Sequence, residues 1–351
     1  MAKKVTMQQI ADYLGVSKFV VSKALSGKEG VNSITREKVF EAASKLGYFA
    51  QKNKKVNQIK LEKQITDFEK DHNQVVLVLM PNIRFQNKKS SYWGKILEGL
   101  SSKLENAKCG MVVLTENNVE NLSNVLNPKG FIGVITVGET STALLLEVNR
   151  MGIPLVMIDH EDPLLPSDTI FNNNFDCSMN LTNHLIGLGH SNIQFVGDVH
   201  YARSFYDRFL GFRSALESND LPFEKEDLLI PLTNEPVLDQ MTSWLNNPLK
   251  KALPTALVCA NDYIAKYVVM ALKDSGYCVP DDISVAGFDN MEFSYTMSPT
   301  LTTVDIAKQD LGIRAVEMLF RRIQQNHAPF EKLLLAGTIM LRESTVGLRT
   351  S

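Results

Sequence analysis

Polar side chains that could bind a small molecule lie at the ends of apolar runs along the chain. Asp159 lies near the end of IPLVMIDH, Asn261 near the end of TALVCAND and Asp289 at the end of ISVAGFD. Carboxylate and amide oxygens accept hydrogen bonds from hydroxyl groups, and two carboxylates held at a defined separation can hydrolyse a glycosidic bond. Each such residue alone could instead cap a helix or lie in a loop. Their recurrence, which extends to Asp198 and Asp262, favours a shared binding site.

The apolar runs themselves have the length and spacing of strands in parallel sheets. Residues 74–81, 110–116, 130–138 and 153–160 are such runs, and further ones follow up to residue 289. Amphipathic helical stretches separate them, and strands alternating with helices predict doubly wound α/β sheets. In open sheets of this kind, ligands bind outside the carboxyl ends of the strands. The polar residues are therefore expected to converge where a small molecule would lie.

Motifs of catalysis do not accompany these carboxylates. The phosphate-binding patterns GxGxxG and GxxxxGK[ST] and the nucleophile pattern GxSxG are absent, and the six histidines include no HExxH pattern. The four cysteines lie far apart without metal-ligand spacing, and we interpret them as reduced, mostly buried thiols. The sequence therefore predicts a protein that is not an enzyme and that uses no metal ion or cofactor.

The first 49 residues have a different pattern, with three short helical stretches. Thr6 and Gln9 have the spacing of a capping box, Gly15 can end the first helix, and Ser17 can begin the second. Two helices joined by a glycine-containing turn and followed by a third predict a helix-turn-helix domain, whose second helix enters the DNA major groove. The apolar faces recur at helical spacing and comprise Met7, Ile10, Ala11, Leu14; Val20, Val21, Ala24, Leu25; and Val39, Ala42, Ala43, Leu46.

Charge supports a nucleic-acid partner for this segment. Residues 1–60 contain twelve Lys and Arg against four Asp and Glu, whereas the whole chain has a formal net charge of -2. A lysine-rich surface could be merely solvated, but combined with the helix pattern the basic excess favours contact with a polyanion. The predicted DNA-binding residues are Thr6, Ser17, Lys18, Phe19, Val20, Ser22, Lys23 and Lys28.

Together these segments resemble the lactose/galactose repressor family of bacterial transcription regulators. The string VTMQQIADYLGVSKFVVSKALSG is similar to the family's head, and NHLIGLGHSNIQFVGD, CANDYIA, VPDDISVAGFDN and SPTLTTV follow in the family's order. The resemblance implies an all-α helix-turn-helix head domain and an α/β two-lobed sensor domain, similar to periplasmic sugar-binding proteins, with two doubly wound parallel-sheet subdomains.

The resemblance also implies how the chain divides. The expected parts are the DNA-binding head at 1–49, an atypical hinge or linker at 50–73, and the effector-binding domain at 74–348. Within that domain, the near lobe is expected to comprise residues 74–163 and 301–327, and the far lobe residues 164–299 and 330–348. The chain would then cross between the lobes three times, with the effector in the cleft between them.

Motif position assigns effector contacts by the same resemblance. The implied contact residues are Tyr92, Trp93, Asp159, Arg208, Asn261 and Asp289. A guanidinium fork that donates and carboxylates that accept suit the vicinal hydroxyls of a sugar. Trp93 could instead be a packed aromatic at an interface. Asn234 stands where the family has an aromatic platform for the sugar, and Asn173 replaces an aspartate, which a phosphorylated or acidic sugar would tolerate better.

The linker departs most from the family. Asn57 occupies the position of the leucine that relatives insert into the minor groove, and Leu61, Ile65 and Phe68 instead have the spacing of a short dimer seam. The segment is either a helical, paired linker that sets another half-site spacing or a flexible charged tether. In the head, Lys23 replaces an arginine of the family. Lysine is a weaker bidentate hydrogen-bond donor to guanine than arginine, so the operator preference of a relative cannot be transferred to this chain.

These features predict a cytoplasmic, sequence-specific DNA-binding transcriptional regulator. The expected activity is repression of carbohydrate-utilisation genes under allosteric control by a small sugar or sugar-derived effector. The expected partners are a roughly palindromic operator and a second copy of the chain; no stretch suggests a signal peptide or a membrane span, and nothing supports a phosphocarrier partner. The alternative is a sugar-binding sensor whose DNA-binding activity is degraded or non-specific.

Overall fold

The computed structural model describes residues 6–25, 35, 39, 42, 74–81, 91–115, 130–223, 228–229, 237–246 and 253–348. The chain separates into two compact units, Met1–Asp71 and His72–Ser351. The predicted linker with its apolar seam, Lys28 of the head, and the expected aromatic-platform position Asn234 lie outside the described residues.

The first unit contains helices α1, Met7–Leu14, and α2, Lys18–Leu25. The predicted capping box is present, because the Thr6 hydroxyl accepts from the Gln9 backbone N–H and the Thr6 backbone N–H donates to Gln9 Oε1 at 2.8 Å. Gly15 follows α1 with φ 65°, the left-handed conformation that glycine adopts without strain. The buried side chains that form this small core are Ile10, Ala11, Val21, Ala24, Val39 and Ala42.

The second unit contains parallel strands connected by helices, as predicted. Among the described residues, the strands are β1 Val75–Leu79, β2 Gly110–Leu114, β3 Gly133–Val137, β4 Leu155–Ile158, β5 Asp168–Asn172, β6 Ile193–Val196, β7 Leu228–Leu229, β8 Ala256–Cys259, β9 Ser284–Ala286, β10 Thr303–Asp305, β11 Lys332–Leu335 and β12 Thr338–Met340. The helices described there are α3 Ser91–Asn106, α4 Thr142–Arg150, α5 Asn174–Gly187, α6 Arg203–Ser218, α7 Val237–Leu245, α8 Asp262–Asp274 and α9 Lys308–Gln324, with a 3-10 turn at Glu292–Tyr295.

The strands of this unit form two parallel sheets, each with its own hydrophobic core. In the described part of the chain, the sheet of the first lobe has the order β11-β5-β4-β3-β1-β2, and that of the second lobe the order β7-β6-β8-β9. Helices α3 and α9 pack together on the first sheet, and α5 and α6 pack together in the second lobe. Antiparallel β10 and β12 form a separate two-stranded ladder near the crossings. The prediction of two doubly wound parallel sheets is confirmed.

The crossings between the lobes occur later in the sequence than the predicted boundaries. Strand β5 pairs with β4, so the first crossing follows Asn172 rather than residue 163. Leu301, Val304 and Ile306 lie in the second-lobe core, which moves the next crossing from about residue 300 to just before α9. Strand β11 pairs with β5, so the last crossing follows Leu335 rather than the predicted 327–330.

A buried ion pair explains why β5 was not recognised. This strand begins with Asp168, a residue that usually lies outside sheets. Here the Asp168 carboxylate is buried and accepts from Arg322 Nε at 2.6 Å and from Nη2 at 2.9 Å. Arg322 lies on α9, 154 residues along the chain, so the compensating charge could not be read from the local sequence.

Candidate effector site and DNA-reading helix

Arg208 organises the polar cluster at the carboxyl ends of the second-lobe strands. It lies on α6 and is 3% exposed. Its Nε donates to Asn174 Oδ1 at 2.9 Å, its Nη1 to the Ala260 carbonyl at 2.6 Å, and its Nη2 to Asp289 Oδ1 at 3.0 Å. The guanidinium carbon also lies 3.8 Å from the centroid of the Phe288 ring, a cation–π contact. These contacts fix the guanidinium in a single orientation.

Asp289 follows β9 and faces Arg208. Its backbone has φ 109°, in the region that residues with a side chain rarely adopt. Lys308 Nζ donates to the Asp289 backbone carbonyl. Burial raises the pKa of the Asp289 carboxyl, and the nearby Arg208 and Lys308 charges oppose that shift.

Asp159 brings a carboxylate from the first lobe to the same cluster. It follows β4 and has φ 54°. No described residue donates a hydrogen bond to its Oδ1. Burial raises the pKa of Asp159 from 3.8 to about 7, with Arg208 opposing the shift and Asp289 adding to it. The Arg208 and Asp289 charges act on the Asp159 carboxyl, which places the three groups near one another.

Tyr92 and Trp93 lie on the first turn of α3, with ring centroids 4.7 Å apart in an edge-to-face arrangement. Tyr92 packs against the cores of both lobes, and its hydroxyl accepts from Asn172 Nδ2 at 3.5 Å. Burial raises the pKa of the Tyr92 hydroxyl, and the Asp159 and Asp289 charges raise it further. Trp93 is half-buried against the first-lobe core, a placement that fits either a cleft aromatic or a packed one.

Other strand-end polar residues have structural partners. Asn261 caps α8, because its Oδ1 accepts from the Ile264 backbone N–H at 2.9 Å. The Asp262 carboxylate is buried and accepts from Thr303 Oγ1 at 2.5 Å and from the Met291 N–H at 2.7 Å. Asp198 accepts from the His200 N–H in a loop. The helix-cap alternative noted from sequence therefore describes Asn261, and its contact with an effector stays a prediction.

Asn174, which the sequence did not assign to the site, belongs to the Arg208 cluster. Asn174 receives the Arg208 Nε–H, and its own Nδ2 donates to the Asn172 backbone carbonyl at 3.1 Å. Asn173, which replaces the family's aspartate, instead caps α5 by accepting from the Asp176 N–H. The signal in the sequence is the triplet NNN, whose first residue, Asn172, ends β5.

The second helix of the head presents a mixed face. Lys18, Phe19 and Ser22 are exposed, with 68% of the Phe19 residue accessible, and Lys23 Nζ lies 5.3 Å from the Phe19 ring centroid. The Ser17 hydroxyl accepts from the Val20 N–H at 3.3 Å, as an N-cap does. Val20 is half-buried. The residues predicted to reach into the groove thus lie largely on one accessible face of α2, while Thr6 and Ser17 begin helices.

A helix-turn-helix head on a two-lobed parallel-sheet domain defines a class, the DNA-binding transcriptional regulators with a periplasmic-binding-protein-like domain. A family model described as bacterial regulatory proteins, lacI family, matches residues 6–51, and one described as a periplasmic binding protein-like domain matches residues 182–345. These two matches make the chain similar to the lacI family of bacterial regulatory proteins in its first part and to periplasmic-binding-protein-like domains in its second.

Individual relatives extend over nearly the whole chain. The transcriptional repressor PurR of Actinobacillus pleuropneumoniae serotype 3 is 29% identical over 93% of each chain. A lac repressor dimer bound to operator and the anti-inducer ONPF is 24% identical, with TM-score 0.65 over 98% of this chain and 100% of that one. A CelR–cellobiose complex is 20% identical, with TM-score 0.68 over 97% of this chain and 99% of that one. Within the described ranges, no helix combines the length and apolar character needed to cross a membrane.

Proposed function

We propose that this protein is a cytoplasmic repressor whose binding to operator DNA is controlled by a small, hydroxyl-rich effector of carbohydrate type. The observation that carries the proposal is the cluster of Arg208, Asp289 and Asp159, which the two lobes bring together around their cleft. Asp159 has an acceptor oxygen without a donor in the described residues, and a hydroxyl of a bound molecule would supply one.

The similarities support both parts of the proposal. PurR, which is similar over most of the chain, is a repressor, and the CelR structure holds cellobiose. An exposed helix face carrying Lys18, Phe19 and Ser22 provides a surface for base and phosphate contacts. A homodimer would place two such heads on a roughly palindromic operator, because the symmetry of the protein must be matched by that of the site.

Control by the effector follows from linkage between the two binding events. If the effector binds one arrangement of the lobes better than another, and that arrangement changes the fit of the dimer to DNA, each ligand changes the affinity for the other by the same factor. Coupling energies are typically about 1–3 kcal/mol, which corresponds to about 5- to 150-fold in affinity. A change of that size is enough to switch occupancy of an operator.

Selection of genomic fragments tests the proposal directly. The purified full-length protein would be incubated with a library of genomic DNA fragments at about 100 mM salt, where non-specific phosphate contacts are weakened, and the retained fragments sequenced. We expect an inverted repeat next to genes for sugar transport or hydrolysis, and release of that DNA by a sugar. Uniform, salt-dependent retention would instead identify the alternative, a sensor with non-specific DNA binding.

A further inference from the structure

Asn172 is a buried polar residue whose amide oxygen lacks a donor in the described structure. It is the last residue of β5 and is 2% exposed. Its Nδ2 donates to the Tyr92 hydroxyl at 3.5 Å, but no described group donates to its Oδ1. Buried polar atoms are nearly always hydrogen-bonded, because leaving one without a partner destabilises the folded protein. The oxygen therefore calls for a donor that the described residues do not supply.

The position of Asn172 points to a bound molecule as that donor. It lies where the chain first crosses between the lobes, at the carboxyl end of a parallel strand. On one side, its Nδ2 donates to Tyr92, which packs against the cores of both lobes. On the other side, the Asn172 carbonyl accepts from Asn174, which in turn holds Arg208. Asn172 thus borders the effector cluster on both sides.

The described residues of this cluster present acceptors, and their cations already have partners. Asp159 Oδ1 and Asn172 Oδ1 both lack donors. Arg208 is engaged by Asn174, Ala260 and Asp289, and Lys308 donates to the Asp289 carbonyl. A phosphate or carboxylate entering here would meet the Asp159 and Asp289 carboxylates, while the Arg208 charge is already paired with Asp289, and like charges repel strongly where water is excluded.

We propose that Asn172 determines effector specificity by accepting a hydrogen bond from a hydroxyl of an uncharged, hydroxyl-rich effector, and that the site rejects the phosphate ester of the same molecule. This inference rests on the proposed function, since it places the effector in the cleft. It reverses the expectation drawn from Asn173, because that side chain caps α5 and takes no part in the Arg208 cluster.

The chain offers a matched pair of substitutions for the test. Asn172→Leu keeps the branched shape and the number of heavy atoms of the side chain and removes its polar atoms. Thr136→Val is the control, because Thr136 on β3 is also buried with a hydroxyl that lacks a partner in the described structure. Ile135 and Ile170 belong to one core, so Asn172, two residues after Ile170, lies on the same face of the sheet as that core. Thr136 is next to Ile135 and therefore lies on the opposite face.

Full-length wild-type protein and both variants would be titrated calorimetrically with a library of uncharged mono- and disaccharides and with their phosphate esters. We expect at least one uncharged sugar to bind and its phosphate ester to bind at least tenfold more weakly. Asn172→Leu should weaken binding of the sugar by about tenfold or more, while its ligand-free melting temperature stays equal or rises. Thr136→Val should bind the sugar as wild type does.

The outcomes separate this inference from the proposed function. Tighter binding of phosphate esters, unchanged affinity in Asn172→Leu, or binding of no uncharged sugar would overturn the role of Asn172. Release of operator DNA by a phosphate ester would also overturn the role of Asn172, but it would support the proposed function of an effector-controlled repressor. Binding of an uncharged sugar through Asn172 with no effect on operator affinity would support the inference and contradict the proposed function.

Discussion

Asp159 makes the affinity for an uncharged effector depend on pH. Its pKa of about 7 means that the carboxyl loses its proton close to neutral pH in the ligand-free protein. An ionised carboxylate only accepts hydrogen bonds, so a hydroxyl that donates to it stabilises the ionised form, lowers its pKa and is bound more tightly once the proton has left. We therefore expect effector affinity to rise between about pH 6 and pH 8.

Calorimetric titration across that pH range measures the effect, and Asp159→Asn provides its control. The amide keeps the size and one acceptor oxygen but does not titrate, so the variant should lose most of the pH dependence. An equally steep dependence in Asp159→Asn would assign the titration to another group, with Asp289 the next candidate because burial also raises its pKa.

Phe19 is the residue of the head most suited to reading bases by apolar contact. It is 68% exposed on α2, and an exposed aromatic side chain there can contact a thymine methyl group in the major groove. Phe19→Ala should weaken binding to the selected operator by about tenfold, in line with 1–3 kcal/mol for a base contact, and leave binding to scrambled DNA nearly unchanged. Fluorescence anisotropy with both duplexes measures this.

Tyr13→Ala supplies the matched control for Phe19→Ala. Tyr13 is 55% exposed but lies on α1 rather than on the predicted reading helix. Its replacement should leave the ratio of operator to scrambled affinity unchanged. Equal losses of that ratio in both variants would mean that α2 does not approach the bases in the predicted way.

At the scale of elements, sequence periodicity predicted the strands that are marked by a local apolar pattern. It did not predict the strands that depend on partners distant in the sequence. The continuous apolar runs became β1–β4, β6, β8 and β9, because strands buried on both faces are apolar throughout. Strand β5 was missed because its first residue, Asp168, is compensated by Arg322 on α9. Strand β11 joins the sheet by pairing with β5, so it too was not predicted from the sequence.

The candidate site shows the same limit. Strand position indicated Asp159 and Asp289, and the resemblance to the lactose/galactose repressor family added Arg208 and Tyr92; the structure brings these four residues together. The same reasoning also selected Asn261, which caps α8. Whether an amide at a strand end turns toward a ligand or back to the next helix depends on a backbone angle that the residue type does not specify. Asn172 was not predicted as a site residue because β5, the strand that it ends, was not predicted.

Two helices of the first lobe pack backbone against backbone, and glycines permit this. A Cβ atom at Gly312 on α9 would lie 2.2 Å from the Ile96 carbonyl oxygen and 2.6 Å from the Leu100 nitrogen of α3. Since neither helix backbone can yield without moving the whole element, Gly312→Ala should lower the free energy of unfolding by about 1–3 kcal/mol. Urea unfolding of the full-length protein measures the change.

Gly187→Ala is the control for this substitution. Gly187 is also helical, at the end of α5, and a Cβ atom there would meet nothing within 4 Å. Alanine is the better helix former, so this variant should be as stable as wild type or slightly more stable. Equal destabilisation by both substitutions would show that the loss does not come from the α3–α9 contact.

At the scale of the sensor as a whole, an ion pair joins the two lobes in addition to the three chain crossings. Glu161 follows β4 of the first lobe and accepts from Lys332 of the same lobe at 2.5 Å. It also accepts from Arg203, the first residue of α6 in the second lobe, which in turn donates to Asp207 at 2.7 Å. The Glu161–Arg203 pair therefore has to break when the lobes move apart at this point.

Partial exposure limits what this pair contributes. The Glu161 and Arg203 side chains are 32% and 44% exposed, and ion pairs so accessible to water contribute about 0.2–1 kcal/mol each. An energy of that size does not hold the lobes together, but it biases their equilibrium between open and closed by about 1.4- to 5-fold. If the effector binds the closed arrangement, its affinity should carry the same bias.

A double-mutant cycle isolates this interlobe contribution. Glu161→Gln and Arg203→Gln should each weaken effector binding by up to about fivefold, and the double variant should be no weaker than the weaker single variant, because both remove the same interaction. The effect should shrink at high salt, which screens exposed charges even when the effector itself is uncharged. Arg213→Gln is the control, since Arg213 pairs with Glu217 within α6 and spans no cleft. Additive losses in the double variant would mean that the two side chains act on the effector separately and that lobe closure does not depend on their contact.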